Sequence, residues 1–204
     1  MANMSFGGGN QSSYYDLARK GQIFVAQAIV TAPVGYATAA ATGGPLLWNG
    51  TGAAGTNQFA GGGSYSANAA QVDAVILGVT WGVTTAETTT NIALGVTGGA
   101  GQTAAPSSTT AIDGLTCTRF GTTVPSPQCN VYRKGTPSAA GAWFMSLATL
   151  STTAVTAMPH EPNYVDLAGM FMVQPNGWFS VTASATGTAA VLQISLIWAE
   201  IPRL

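Results

Sequence analysis

The stretch from Met170 to Pro202 constrains the fold more than any other part of the chain. It runs MFMVQ, then PNG, then WFSVTAS, then a short loop, then VLQISLIWAEIP. In the last segment Leu192, Ile194, Leu196 and Trp198 share one face. Gln193, Ser195 and Ala199 share the other, with Ile197 as the exception. A period of two over this length marks a half-buried strand. Pro175-Asn176-Gly177 has turn chemistry, because Pro presets φ and both Asn and Gly tolerate the positive φ that follows. The stretch therefore reads as three consecutive antiparallel strands, and the rest of the chain is expected to pack against them.

Upstream, residues 1–20 read as an arm and residues 21–204 as one domain. Gly7-Gly8-Gly9 and the Asn, Gln and Ser that follow cannot build a core alone. Tyr14, Tyr15 and Leu17 are anchors for docking the arm, and Phe6 and Arg19 join them as candidate interface residues. Strands are expected at Gln22–Ala26, at Pro45–Asn49 and over Val72–Val83. The continuous apolar run of the last one predicts burial on both faces. Gly78 and Gly82 within it predict bulges or close backbone contact. A short strand at Asn91–Gly95 precedes a loop at Gly98–Thr110. Leu115–Phe120 and Ala142–Leu150 are further candidates, the second as strand or short helix. Pro159–Asp166 reads as irregular. About eight or nine strands with almost no amphipathic helix predict an all-β fold, a jelly-roll-like two-sheet β-sandwich with an extended N-terminal arm. Phe24, Trp48, Val75, Leu77, Phe179, Val181, Leu192, Ile194, Leu196 and Trp198 are the expected core.

Composition bears on function. Charged residues make up 6% of the 204-residue chain, against about 25% in ordinary soluble domains. No charge occurs between Lys20 and Asp73. A surface so poor in charge is expected to face other subunits rather than water. A net charge of -1 with scattered Lys and Arg gives no basic footprint for nucleic acid. Pro and Gly interrupt every apolar run, so no membrane-spanning helix is expected.

The residue types offer little chemistry. His160 is the one histidine, with Glu161 beside it and Asp166 nearby. No GxSxG elbow accompanies it, so His160 is read as a subunit contact, as is Tyr164. One His and two distant Cys match no zinc pattern. The dispersed carboxylates have no EF-hand spacing. No catalytic, cofactor or metal site is expected, and the chain is not expected to be an enzyme. Cys117 and Cys129 either bridge a loop containing Pro125 and Pro127 or stay reduced and partly buried. Asn49-Gly50-Thr51 matches the N-glycosylation pattern, with a plain turn as the simpler reading. The five tryptophans are expected in the core or an interface, a sugar-binding platform being the rarer alternative.

Several of these residues together resemble a family. Val165-Asp166-Leu167-Ala168-Gly169, an apolar strand, Gln174-Pro175-Asn176-Gly177, a further strand, then Ile197-Trp198-Ala199-Glu200-Ile201-Pro202 resemble small virion structural proteins of tailed bacteriophages. Lys20-Gly21-Gln22-Ile23-Phe24 and Pro45-Leu46-Leu47-Trp48-Asn49 look similar too, although Gly50 stands where relatives have Pro. The likeness covers most of residues 20–202. It implies a jelly-roll or similar sandwich, a homotrimer seated on the major capsid protein as a cement or decoration protein, and no enzymatic activity. It implies a place on the capsid surface of a virion assembled in the host bacterial cytoplasm. The alternative is a receptor- or glycan-binding module of a phage head fibre or tail. In this setting residues 1–20 are expected to clamp an adjacent protomer or the capsid protein.

Overall fold

The computed structural model describes residues 14–32, 35, 44–50, 72–85, 92–102, 104–117, 127–138, 141–150, 163–187 and 189–203. A short helix, α1 (residues 14–19), comes first. The strands are β1 (Ile23–Thr31), β2 (Leu46–Asn49), β3 (Val72–Thr85), β4 (Ile92–Gly99), β5 (Ser107–Ala111), β6 (Gly114–Cys117), β7 (Asn130–Thr136), β8 (Ala142–Leu150), β9 (Asn163–Val173), β10 (Gly177–Ala183) and β11 (Val191–Pro202).

They form two sheets, in the orders β6-β1-β11-β3-β9 and β5-β7-β2-β10-β4-β8. Four antiparallel pairs are nested along the chain: β1 with β11, β2 with β10, β3 with β9 and β4 with β8. The chain thus folds back on itself as one long hairpin. Successive pairs fall alternately in the five-stranded and the six-stranded sheet, which is the winding of a jelly roll. Strands β5, β6 and β7 are inserted between β4 and β8. They widen both sheets, with β7 and β5 beyond β2 and β6 beyond β1.

This winding corrects the reading of the C-terminal stretch. β9, β10 and β11 are strands, but none pairs with the next. The Pro175-Asn176-Gly177 turn is a corner between sheets rather than a hairpin. Asn176 takes the positive φ (65°), and its N–H donates to the Asn49 carbonyl at 2.6 Å. Three local assignments also change. The expected loop at Gly98–Thr110 gives its first two residues to β4 and its last four to β5, β7 falls where no strand is expected, and residues 163–166 start β9. Cross-strand pairing supplies what local composition lacks in each case.

The core lies between the sheets. Leu192, Ile194, Leu196 and Trp198 of β11 are buried there, with Phe24, Leu47, Phe179 and Val181. The Phe24 and Trp198 rings stack at 5.6 Å. Trp48 is buried in a separate cluster with Leu46, Tyr132 and Trp178. Val75 is half-buried and Leu77 buried, yet both pack on the far face of the five-stranded sheet. The inner residues of β3 are Val72, Ala74, Ile76, Val79 and Trp81, and the change of phase at Leu77 marks a bulge. Trp198 pairs with Ile76 and Ile197 with Gly78, so Leu77 has no partner on β11. Gly78 is at that bulge, and a Cβ on it would lie 2.6 Å from the Tyr164 ring. Gly82 has open space instead, and nothing in the structure explains it.

α1 is the reason β3 is apolar on both faces. Tyr14, Leu17 and Ala18 pack on Ile23, Leu77 and Ala199, with Val75 and Ile197 beside them. Ile197, the exception in the β11 pattern, therefore also has an apolar neighbour. The helix ends in a Schellman motif: Gln22 N–H donates to Leu17 O and Gly21 N–H to Ala18 O, both at 2.9 Å. Gly21 takes the required left-handed φ of 72°. The described part of the arm is thus a helix packed on the chain's own sheet rather than an extended segment. Phe6 lies outside the described residues.

Two buried polar side chains tie the layers together. Asn49 of β2 is fully buried. Its Nδ2 donates to Val72 O and Val173 O of the opposite sheet, at 2.8 Å each. Net stabilisation is about 1 kcal/mol per bond, and more is lost if the two carbonyls are left bare. With that nitrogen committed, the folded chain offers no glycosylation acceptor at Asn49. Glu200 of β11 accepts N–H groups from Gln128 (2.7 Å), Cys129 (2.8 Å) and the Trp198 indole (3.2 Å). It thereby fixes the start of β7 against β11.

Candidate interaction surface

The outward face of the five-stranded sheet carries most of the large exposed apolar side chains among the described residues. Outward positions alternate with the core positions on each strand. They are Ile23, Val25, Gln27 and Ile29 on β1, Gln193, Ser195, Ile197, Ala199 and Ile201 on β11, and Tyr164, Asp166, Met170 and Met172 on β9. Strand pairing sets Ile23, Ala199, Val75 and Met172 in one row across the sheet. α1 closes the Ile23 end of this row, and the Met172 end is open. Met170 is 70% exposed, Tyr164 57%, Met172 55%, Ile29 49% and Ile201 41%.

An apolar strand left uncovered at a sheet edge invites pairing with another chain, and bulges are one way of blocking it. β9 and β8 are the edge strands on this side, and both are bulged. Asp166 pairs with Gly78 and Phe171 with Ile76, so Leu167, Ala168, Gly169 and Met170 lie opposite Leu77 alone. The Asp166 carboxylate accepts the Ala168 N–H at 2.8 Å. Leu167 drops into the core, and Ala168 and Gly169 take positive φ of 46° and 76°. Met170 is pushed outward. The Asp-Leu-x-Gly string thus has a local cause: Asp closes the turn, Leu anchors it, and Gly tolerates the left-handed backbone. On β8, Trp143 pairs with Thr97 and Met145 with Val96, leaving Phe144 as the extra residue. It is half exposed.

Between these edges, beside the Pro175–Gly177 corner, an open groove of about 460 Å³ is lined by Phe144, Met170, Met172, Pro175, Trp178 and Phe179, among others. Its lining holds no charged side chain. A chain of rings runs down from it into the core, Phe144 to Phe171 at 5.4 Å and Phe171 to Phe179 at 5.5 Å.

Electrostatics around the patch are subdued. Burial, and after it the Asp166 carboxylate, raises the pKa of both Tyr14 and Tyr164, so both phenols stay neutral. Asp73 pairs with Arg203 at 3.6 Å. Asp113 pairs with Arg133 at 3.0 Å and accepts the Ile29 N–H at 2.7 Å, which ties the β5–β6 turn to β1. Among the described residues no group of three His, Cys, Asp or Glu could hold a metal ion, and no helix is long and apolar enough to cross a membrane.

The residues singled out from sequence separate into groups. Tyr15, Arg19 and Tyr164 are exposed, while Tyr14 and Leu17 are used internally as the feet of α1. His160 and Phe6 lie outside the described residues. Cys117 and Cys129 are buried thiols not joined by a disulfide, so of the two alternatives the structure holds the reduced one. Burial first, then the Glu200 and Asp73 carboxylates, pushes the Cys129 thiol well above its ordinary range. A buried protonated thiol is a poor nucleophile. Sequence reasoning missed Phe144, Met170 and Met172, because an apolar residue in a strand reads as core until the bulge that turns it outward is known. It also missed α1. The signals for it were Asp16 early, Arg19-Lys20 late and Gly21 just beyond, the charge order and stop of a helix.

The other outward face contrasts. Leu46, Trp48, Tyr132 and Trp178 are buried on the six-stranded sheet, as are Thr97, Ser180 and Thr182. Of the five tryptophans four are buried and Trp143 is half-buried. Comparison with protein-family models, with curated proteins and with solved structures gave no match to this chain.

Proposed function

We propose that this chain is a structural protein of a bacteriophage virion, a cement or decoration protein that assembles as a trimer and binds the major capsid protein. The observation that carries the reading is the outward face of the five-stranded sheet, where Ile29, Tyr164, Met170, Met172 and Ile201 are exposed in a chain with 6% charged residues. Large exposed apolar side chains on one face mark a surface meant for another protein. The jelly-roll winding and the resemblance of the C-terminal strands support the same class. Such a protein stabilises a shell by mass action, since it binds the assembled state and not the free parts. A glycan-binding module would present an open aromatic platform, and the burial of four tryptophans favours the shell-binding reading.

The test is the copy number and position of the chain in a particle reconstruction. Many copies at threefold or quasi-threefold positions over the shell are expected. A few copies at one vertex or on a tail would overturn the reading.

A further inference from the structure

We infer that Asn176 is a covalent modification site, a residue that deamidates spontaneously, and that the fold directs this chemistry to Asn176 and away from Asn49. Asparagine followed by glycine is the pairing in which the reaction is least hindered, because glycine has no side chain to crowd its own nitrogen. Both Asn49 and Asn176 are followed by glycine. In the reaction the glycine nitrogen gives up its proton to solvent base and attacks the asparagine Cγ. The Cγ–Nδ2 bond breaks and ammonia leaves, which closes a five-membered imide. Water then opens either imide C–N bond, so the neutral amide becomes the carboxylate of aspartate or isoaspartate. Nothing is oxidised or reduced.

The two sites share the chemistry and differ in the structural conditions for it. Asn49 is fully buried. Its Nδ2, the leaving group, is held by Val72 O and Val173 O of the opposite sheet at 2.8 Å each. Gly50 packs against the Trp48 indole, where an added Cβ would lie 2.2 Å from the ring, and its carbonyl accepts Asn130 Nδ2 at 2.9 Å. The Asn49 side chain cannot turn back to the Gly50 nitrogen without parting the sheets. Asn176 is instead exposed, at the corner between β9 and β10. Its backbone is anchored, with its N–H on Asn49 O at 2.6 Å and its carbonyl accepting Gln102 N–H at 2.8 Å. The attacking atom has one guard: Gly177 N–H donates to Gln174 O at 2.8 Å. A bond within so short a corner opens locally, at a lower free energy than the parting of a core. The reaction at Asn176 is therefore slower than in an unfolded chain and much faster than at Asn49.

The product changes the groove. Pro175 and Gly177, on either side of Asn176, line it, and no charged side chain does. Deamidation places a carboxylate at that rim, and the isoaspartate form also lengthens the backbone of the corner by one carbon. The corner is thus a slow, irreversible device that makes the rim of an apolar groove acidic. The experiment ages the full chain in mildly alkaline buffer at body temperature for several weeks, with no shell present, beside the same chain unfolded in urea. Peptide mapping by mass spectrometry reads the gain of about 1 Da that accompanies loss of each amide. In the folded chain Asn176 is expected to convert at least tenfold faster than Asn49, and in urea the two should convert at similar rates. Isoelectric focusing should show a new acidic band with age, and Asn176→Gly, which accepts the positive φ of 65°, should remove most of it. Equal conversion of the two residues in the folded chain, Asn49 converting first, or an undiminished acidic band in Asn176→Gly would each overturn the inference. So would an intact Asn176 in the folded chain once the sample in urea has converted at both sites. None of these readouts depends on capsid binding, so a failure here is separate from a failure of the proposed function.

Discussion

The two sheets of this jelly roll treat their outward faces in opposite ways. On the six-stranded sheet Trp48, Trp178, Leu46 and Tyr132 are buried from outside as well as packed on each other. Every residue of β10 is buried. On the five-stranded sheet α1 covers the middle, and the margins carry exposed Ile29, Tyr164, Met170, Met172 and Ile201. The same residue types therefore do different work. Where an apolar side chain is sealed inside the subunit, it stabilises the fold. Where it is left at a bulged edge, it adds little to the fold and remains available for association.

The comparison breaks most readily at its sealed side. Trp48→Ala should destabilise the chain by about 4 kcal/mol, because the indole is buried among Leu46, Tyr132 and Trp178 and its removal leaves a cavity. Urea unfolding followed by far-ultraviolet dichroism measures this, and a loss below about 1 kcal/mol would show that the six-stranded face is not sealed.

Next in size is Glu200, which joins the core of one sheet to the start of β7. Burial raises its pKa, and the N–H groups of Gln128, Cys129 and Trp198 offset this only in part. The folded chain therefore holds this proton more tightly than the unfolded chain does. The stability so gained is full below the ordinary value of 4.5 and is lost as pH rises through the raised folded value. Glu200→Gln does not titrate. The advantage of the native chain over this variant should be largest at low pH and shrink through that window. An advantage that grows with pH would mean that the three donors outweigh burial.

Ala168 gives a smaller effect of the opposite sign. It takes φ of 46° in the β9 bulge, a region that disfavours side chains by about 1–2 kcal/mol. Ala168→Gly relieves that strain and adds unfolded-chain entropy, so the net gain should be about 0.5 kcal/mol. A melting temperature lower than that of the native chain would contradict the bulge geometry. The smallest effect is expected on the open face. Met172→Ser should change unfolding free energy by no more than about 0.5 kcal/mol while weakening self-association or shell binding. Sedimentation velocity and unfolding on the same variant separate the two. A large loss of stability would mean that Met172 belongs to the core after all.

Much of the fold was legible where the physics is local. The alternation of Leu192, Ile194, Leu196 and Trp198 identified β11 and its inner face. Pro45–Asn49 read as a short buried strand because apolar residues end at Asn-Gly. Asn176 read as a positive-φ position because its side chain tolerates that backbone. The interaction surface was less legible. Met170 and Phe144 are apolar residues in strands, and only the bulge opposite Leu77 and the one between Trp143 and Met145 turn them outward. The same limit applies to Asn49, which reads as a turn residue or an acceptor for sugar and is instead a bond between layers.

By itself the sequence determined the strand-rich class, the inner face of β11, a turn at Pro175–Gly177 and a surface short of charge. Each depends on neighbours within a few residues, through periodicity, fixed φ or composition. Tertiary structure alone decided which strands pair, that successive C-terminal strands lie in opposite sheets, and which apolar face α1 covers. Those outcomes depend on contacts between residues far apart in the chain, such as Trp198 with Ile76 or Leu17 with Leu77, and no local pattern encodes the choice of distant partner.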